Sequence, residues 1–223
     1  MSILKVARMG HPVLRRVADP VPPEAIRSAP VQRLIDDMLE TVDEYDGAGL
    51  AAPQVHASVR VVVLALDEAG MRVWINPVLT PLTEERHTSV EGCLSVPELR
   101  GRVSRPAAVE VRAFDRAGAP IHLELEGFPA VVAQHECDHL DGVLYVDKAE
   151  PQSLMFLEEF RRYGLAEPGD FDLEDGLGDD LGDDLGHALQ DESDLDSPDE
   201  RFDAHRAPDG ASAIASASAP QEP

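Results

Sequence analysis

Two histidines four residues apart around a glutamate, His135-Glu136-Cys137-Asp138-His139, constrain this chain more than any other feature. The pattern has a clear use only on a helix, where residues i and i+4 lie one turn apart on the same face. Two imidazoles stacked that way can hold one metal ion. Glu136 is then close enough to move a proton to or from a water. The flanking residues favour the helix: Pro129 stands where a first turn tolerates proline, Val131, Val132, Leu140 and Val143 supply apolar cover, and Gly142 offers a stop. Taken alone, the five residues also occur on ordinary helices.

A metal site needs further ligands, and the chain has two cysteines, Cys93 and Cys137. Cys137 is two positions after His135, so a helix turns it roughly the opposite way; it reads as core. Cys93 lies in Glu91-Gly92-Cys93-Leu94-Ser95-Val96-Pro97, where glycine and proline predict an irregular turn rather than a central strand. It is either a buried small hydrophobe or the third member of a Cys-His-His site. A third stretch, Gly47-Ala48-Gly49-Leu50-Ala51-Ala52-Pro53-Gln54, suits a compact loop that lets backbone approach a ligand and ends in an amide donor. By composition alone it is as readily a connector.

The rest of the chain supplies a scaffold. Val31, Leu34, Ile35, Met38, Leu39 and Val42 follow a helical period, predicting a helix over 30–45 with a solvated acidic face. Val59–Leu66 reads as a buried strand, Glu68-Ala69-Gly70 as a turn, and Met71–Ile75 as the returning strand, with another from Pro77 to about Glu84. Residues 106–126 alternate as a hairpin around Asp115-Arg116-Ala117-Gly118, with His122 on its polar face. A last helix is predicted over 153–163. Residues 1–22 are proline-punctuated, with Val13 and Leu14 seating a short turn.

Charge divides the chain. Its formal net charge is −24, and residues 166–223 alone hold 18 acidic and two basic residues, with a Leu-Gly-Asp-Asp repeat and an Ala/Ser/Pro-rich end. That composition predicts a disordered, solvated tail after a domain of residues 1–165. It argues against direct nucleic-acid binding and against anionic membranes. The start lacks the long apolar core of a signal peptide, no apolar run reaches membrane-spanning length, and two cysteines make no disulfide framework. A reducing, cytoplasmic setting is expected.

Gly-x-Gly-Leu-Ala-Ala-x-Gln, Glu-Gly-Cys-Leu-Ser and Gln-His-Glu-x-x-His-Leu occur in that order, as residues 47–54, 91–95 and 134–140. Together they resemble the motifs of the peptide deformylases, bacterial enzymes that remove the formyl group from the first methionine of new proteins. The resemblance runs from about Ile3 to Leu165 and implies an α+β fold: antiparallel sheets around a central metal-binding helix, with N-terminal and C-terminal helices. It implies that Cys93, His135 and His139 hold one divalent ion per chain, Fe²⁺ in most of the family, with Zn²⁺, Ni²⁺ or Co²⁺ as substitutes. By the same resemblance Glu136 is general base and then acid, Gln54 and the Leu94 N–H form an oxyanion hole, and Gly49 holds the substrate main chain. Ala48, Phe128, Val131 and Val132 would line the methionine pocket beside His135, and Glu91 and Arg105 would pair as a salt bridge. The implied partners are N-formylmethionyl nascent peptides, with transient ribosome contact. The acidic tail departs from members that carry a basic C-terminal helix, so it should not anchor to ribosomal RNA.

Other readings make different demands. A zinc endopeptidase shares His-Glu-x-x-His but takes its third ligand downstream, where only Glu150, Glu158 and Glu159 are at hand. A non-catalytic protein that recruits basic partners through its tail would tolerate degenerate motifs, and none of the motif positions is degenerate.

Overall fold

In the computed structural model, which describes residues 2–66 and 70–164, one strand shows how the core is organised. Strand β2 (Val61–Ala65) is apolar at every position because both of its faces are covered. Side chains alternate along a strand. Val61 and Val63 join Ile35, Met38 and Val42 of helix α1 (Ala29–Glu44), while Val62 and Leu64 join Ala130, Val132, Ala133 and Leu140 of helix α2 (Phe128–Leu140). The helix predicted over 30–45 is α1, and its periodic face is the one buried.

β2 belongs to a five-stranded antiparallel sheet in the order β1-β2-β3-β6-β7. β1 is Gly49–Ala51, β3 is Met71–Pro81, and β6 (Ala108–Phe114) and β7 (Pro120–Glu126) form the hairpin expected over 106–126. A smaller antiparallel sheet holds β4 (Arg86–Cys93), β5 (Val96–Pro106) and β8 (Met155–Phe156), in that order. Its core is Val96 and Val103 packed with Leu14, Leu144 and Tyr145. The fold is α+β, as expected. Short helices α3 (Tyr145–Lys148) and α4 (Leu157–Tyr163) follow α2. Among the described residues, no helix is long and apolar enough to cross a membrane.

Four local expectations are corrected. Residues 47–54 are not simply a loop: Gly49–Ala51 pair with Val62–Leu64 before a 3-10 turn over Ala52–Val55. β3 runs through the junction at Asn76 and Pro77 rather than breaking into separate strands. Asn76 takes φ 53° there, and its side chain bonds Val21 N and Val21 O, both at 2.8 Å. The turn expected over 91–97 is the end of the long β4–β5 hairpin. Its register shifts between Glu91, opposite Gly101, and Cys93, opposite Val96. Pro97 falls in that irregular part, where its missing N–H costs no ladder bond. Leu99 and Arg100 pair with β8 on the edge of β5 away from β4, so residues 155–156 are strand and the predicted last helix begins only at Leu157. The acidic tail expected after residue 165, and the Glu68-Ala69 part of the β2–β3 turn, lie outside the described residues.

Candidate metal centre

α2 begins after Gly127 with Pro129 in its first turn, as its sequence demands. It ends where Gly142 takes φ 74° against the backbone of Arg15. A β-carbon there would meet Arg15 C at 2.8 Å, so glycine is required by both conformation and space. Between these ends, His135 and His139 stand one turn apart with ring centroids at 5.1 Å.

Cys93, the last residue of β4, faces them. Its Sγ lies 3.2 Å from His139 Nε2, and the ligand atoms of Cys93, His135 and His139 all lie within 4.8 Å of one another. Donor atoms on one tetrahedral ion would stand about 3.3–3.6 Å apart, given ordinary zinc–nitrogen and zinc–sulfur bonds. The three residues therefore fit a metal with little movement. Among the described residues no other such group of histidine, cysteine and carboxylate side chains occurs, and Glu150, Glu158 and Glu159 do not join this one.

The surrounding groups orient the cluster. Glu91 Oε2 is 2.8 Å from His135 Nδ1, which leaves Nε2 as the free ligand atom. Glu91 is itself held by Arg105 through two bonds, Nε to Oε1 at 2.6 Å and Nη2 to Oε2 at 2.8 Å, with both side chains buried. Burial works to raise the Glu91 carboxyl, but the bonds from Arg105 and His135 outweigh it and hold the group at about 2. Tyr145 lies over His135 with centroids 6.0 Å apart and rings 23° from parallel, and its hydroxyl donates to Leu99 O at 2.9 Å.

The two imidazoles differ. Without a metal ion, burial disfavours the charged ring of His135, but hydrogen bonding to Cys93 and Glu91 overcomes it and raises that ring's pKa. Burial lowers the pKa of His139, and the positive fields of His135 and Arg105 lower it further. A metal needs both rings neutral, so binding would release the His135 proton.

Glu136 is buried beside this cluster, and its Oε2 has no protein partner. Burial pushes its carboxyl up to about 7, against the fields of His135 and Arg105. An unsatisfied buried carboxylate beside a candidate metal site is a mark of chemistry rather than of packing. Its side chain lies against Gly49 of β1. Gln54 is buried too. Its Oε1 accepts from Ala51 N at 2.8 Å, and this turns Nε2 toward Ser95 Oγ at 3.2 Å and Cys93 Sγ at 3.5 Å. Leu94 and Ser95 form the link of the β4–β5 hairpin, and Ser95 N donates to Cys93 Sγ at 3.4 Å.

The three motifs thus converge on one place. The residues expected to line a pocket are more dispersed. Ala48 is exposed just before β1, and Phe128, 45% exposed, shares a stripe of α2 with Val131 and His135. Val131 is buried, and Val132 packs in the core cluster with Val62 and Trp74. Cys137 is buried, as expected of a core residue, and burial pushes its thiol well up. The sequence reading missed Tyr145 and Asp138. Nothing in the pattern marks Tyr145, whereas Asp138 sits inside the His-Glu-x-x-His motif and could have been noticed.

A family profile described as polypeptide deformylase matches residues 3–154. A peptide deformylase from Pseudomonas aeruginosa is 48% identical over 149 residues, covering 66% of this chain and 87% of that protein. The actinonin-bound class I type b peptide deformylase of Acinetobacter baumannii superposes with a TM-score of 0.64 at 38% identity, over 67% of this chain and all of that one. The Met-Ala-Ser-bound structure of the Acinetobacter enzyme gives 0.62 at 36% identity, over 66% and 98%.

Proposed function

This chain belongs to the peptide deformylase family of hydrolases, and from that premise we propose that it removes the N-formyl group from formylmethionine at the start of nascent polypeptides through the Cys93–His135–His139 centre. The observation that carries the reading is the convergence of those three donor groups beside a buried, unpartnered Glu136 oxygen. Cys93, His135 and His139 would hold one divalent ion, Fe²⁺ by family resemblance. Such an ion supplies a Lewis acid for the formyl oxygen and lowers the pKa of water toward ~7.

The chain's own groups do the rest. Glu136, poised near neutrality, takes a proton from the attacking water and later delivers it to the leaving amide nitrogen. Gln54 Nε2 and the Leu94 N–H donate to the formyl oxygen as it gains negative charge. The Gly49 main chain holds the peptide, and Ala48, Phe128 and Val131 receive the methionine side chain, while Val132 supports them from the core. The C–N bond of the formamide breaks, formate leaves, and a free methionine amine remains. Met-Ala-Ser in the Acinetobacter structure has the form of such a product, a peptide with methionine first.

The expected partners are formylated nascent chains met in the cytoplasm, with transient ribosome contact and no direct hold on nucleic acid. The deciding measurement is formate release from formyl-Met-Ala-Ser by the full chain, purified without oxygen and loaded with Fe²⁺, beside Cys93→Ala. Release that is lost in the variant supports both the reaction and the third ligand. Silence from protein holding one metal per chain refutes the activity.

A further inference from the structure

A continuous run of polar contacts leads from His135 to the protein surface. His135 Nδ1 meets Glu91 Oε2 at 2.8 Å, and Glu91 grips Arg105 through two bonds. The remaining arm of Arg105, Nη1, donates to Asp138 Oδ2 at 2.8 Å. Asp138 Oδ1 then accepts from Lys148 Nζ at 2.6 Å. The Lys148 side chain is 42% exposed and stands with Arg86 and Gln134 on the wall of a cavity of about 350 Å³.

His135 and Asp138 are three residues apart on α2, so they are neighbours on one face. Both reach the same Glu91–Arg105 pair, which comes from β4 and β5. The run of contacts therefore leaves the helix at one residue and returns to it at another. Nε, Nη1 and Nη2 of Arg105 are each committed, so Arg105 cannot turn without breaking a bond to Glu91 or Asp138.

We infer that Asp138 and Lys148 are positioning residues for His135, acting through Arg105 and Glu91 to keep its Nε2 directed at the Cys93–His139 pair. The inference rests on these three residues being the metal ligands. An exposed lysine–carboxylate pair contributes little by itself. Here Lys148 matters because it fixes the oxygen pair that steadies Arg105. The alternative role is purely electrostatic, and it has the opposite sign: removing the Lys148 charge would then strengthen the hold on a cation.

The test measures Co²⁺ affinity of the full chain by competition with a chelator of known affinity, read from the cobalt–thiolate absorption band. Asp138→Asn is expected to weaken binding about tenfold, the lower end for groups that orient a ligand, and Lys148→Met about threefold. Lys148→Arg should keep wild-type affinity. In a Glu91→Gln background, where the run is cut, Lys148→Met should have no further effect. Unchanged or tighter binding by Lys148→Met, or an undiminished loss in the Glu91→Gln background, overturns the inference. A wild-type chain that binds no Co²⁺ overturns the ligand assignment with it. Wild-type binding with unaffected variants sinks the positioning role alone.

Discussion

Gly49 of β1 and Glu136 of α2 meet so closely that only one of them can have a side chain there. A β-carbon on Gly49 would stand 2.5 Å from Glu136 Oε1 and 2.8 Å from its Cγ. The glycine is thus required by space rather than by backbone conformation. The edge strand expected to hold substrate is also the wall that seats the proposed base. Gly49→Ala should push one of them aside, costing about 1–3 kcal/mol of stability by overpacking. Deformylation should fall by about a hundredfold, the low end of what a well-placed general base supplies. Steady-state kinetics beside metal analysis would check it: full metal content with near-wild-type turnover would show that Glu136 does not need this seat.

Glu136 itself should be dispensable for metal binding and not for turnover. Glu136→Gln keeps the shape and removes the base, so the metal should stay while kcat drops by about 10²–10⁴-fold. The same substitution has a stability signature in the metal-free protein. The folded carboxyl is raised to about 7 from an ordinary 4.5. The favourable protonated form is fully present below about 4.5 and is lost as pH rises through 7. Above pH 7 the wild type therefore gives up about 3 kcal/mol, at about 1.4 kcal/mol per unit. Glu136→Gln should unfold at higher denaturant at pH 8, with the advantage closing toward pH 4.5. A constant difference across that range would contradict the assignment.

The Glu91–Arg105 pair should show the reverse dependence. Glu91 is held at about 2 in the folded protein against an ordinary 4.5. Its contribution, again about 3 kcal/mol, is complete above pH 4.5 and lost as pH falls toward 2. Glu91→Gln leaves Arg105 buried with only Asp138, and removal of one partner from a buried pair typically costs about 3–5 kcal/mol. Urea unfolding at pH 7 and pH 3 would test this. The variant should be much less stable than wild type at pH 7 and closer to it at pH 3.

Gln54 is placed to lose rate without losing metal. Its Nε2 is aimed at the Cys93 side by the bond from Ala51 N to Oε1. Gln54→Ala should lower kcat by about 10²–10³-fold, as expected for one oxyanion donor, with one metal per chain retained. A change in KM alone would argue against that role.

The two cysteines should separate cleanly. Cys93→Ala should abolish tight metal binding, because it removes a donor 3.2 Å from His139 Nε2. Cys137→Ala should retain the metal and the activity, since that thiol is buried and held protonated by burial. Metal analysis after gel filtration distinguishes them, and loss of metal from Cys137→Ala would refute its reading as core.

The parts of the fold set by local pattern were legible in the sequence. The apolar run of β2, the periodic face of α1 and the alternation of β6 and β7 each follow from burial on stated faces. His135 and His139 were legible because a helix turns a four-residue spacing into proximity. Cys93 was not decidable from spacing, since its approach to His139 depends on a hairpin whose register shifts at Gly92. β8 was not legible either, because its two residues are strand only through pairing with Leu99 and Arg100, more than fifty residues earlier in the chain. Tyr145 stacks on His135 across a chain reversal at Gly142, and no local pattern encodes such a contact. Asp138 was visible as an acid between two histidines, but its partners Arg105 and Lys148 come from other elements.

The placement of Cys93 on one sheet, and of His139 on a helix packed against the other, has a consequence for folding. The two are 46 residues apart in the chain. An ion joining them would act as a clip across a long loop, and such clips remove the most freedom from the unfolded chain. Holding the ion would therefore be part of how the β4–β5 hairpin stays seated. Stripping it should release that hairpin before the rest of the molecule, so amide exchange of residues 91–101 should quicken on chelation while that of β2 does not.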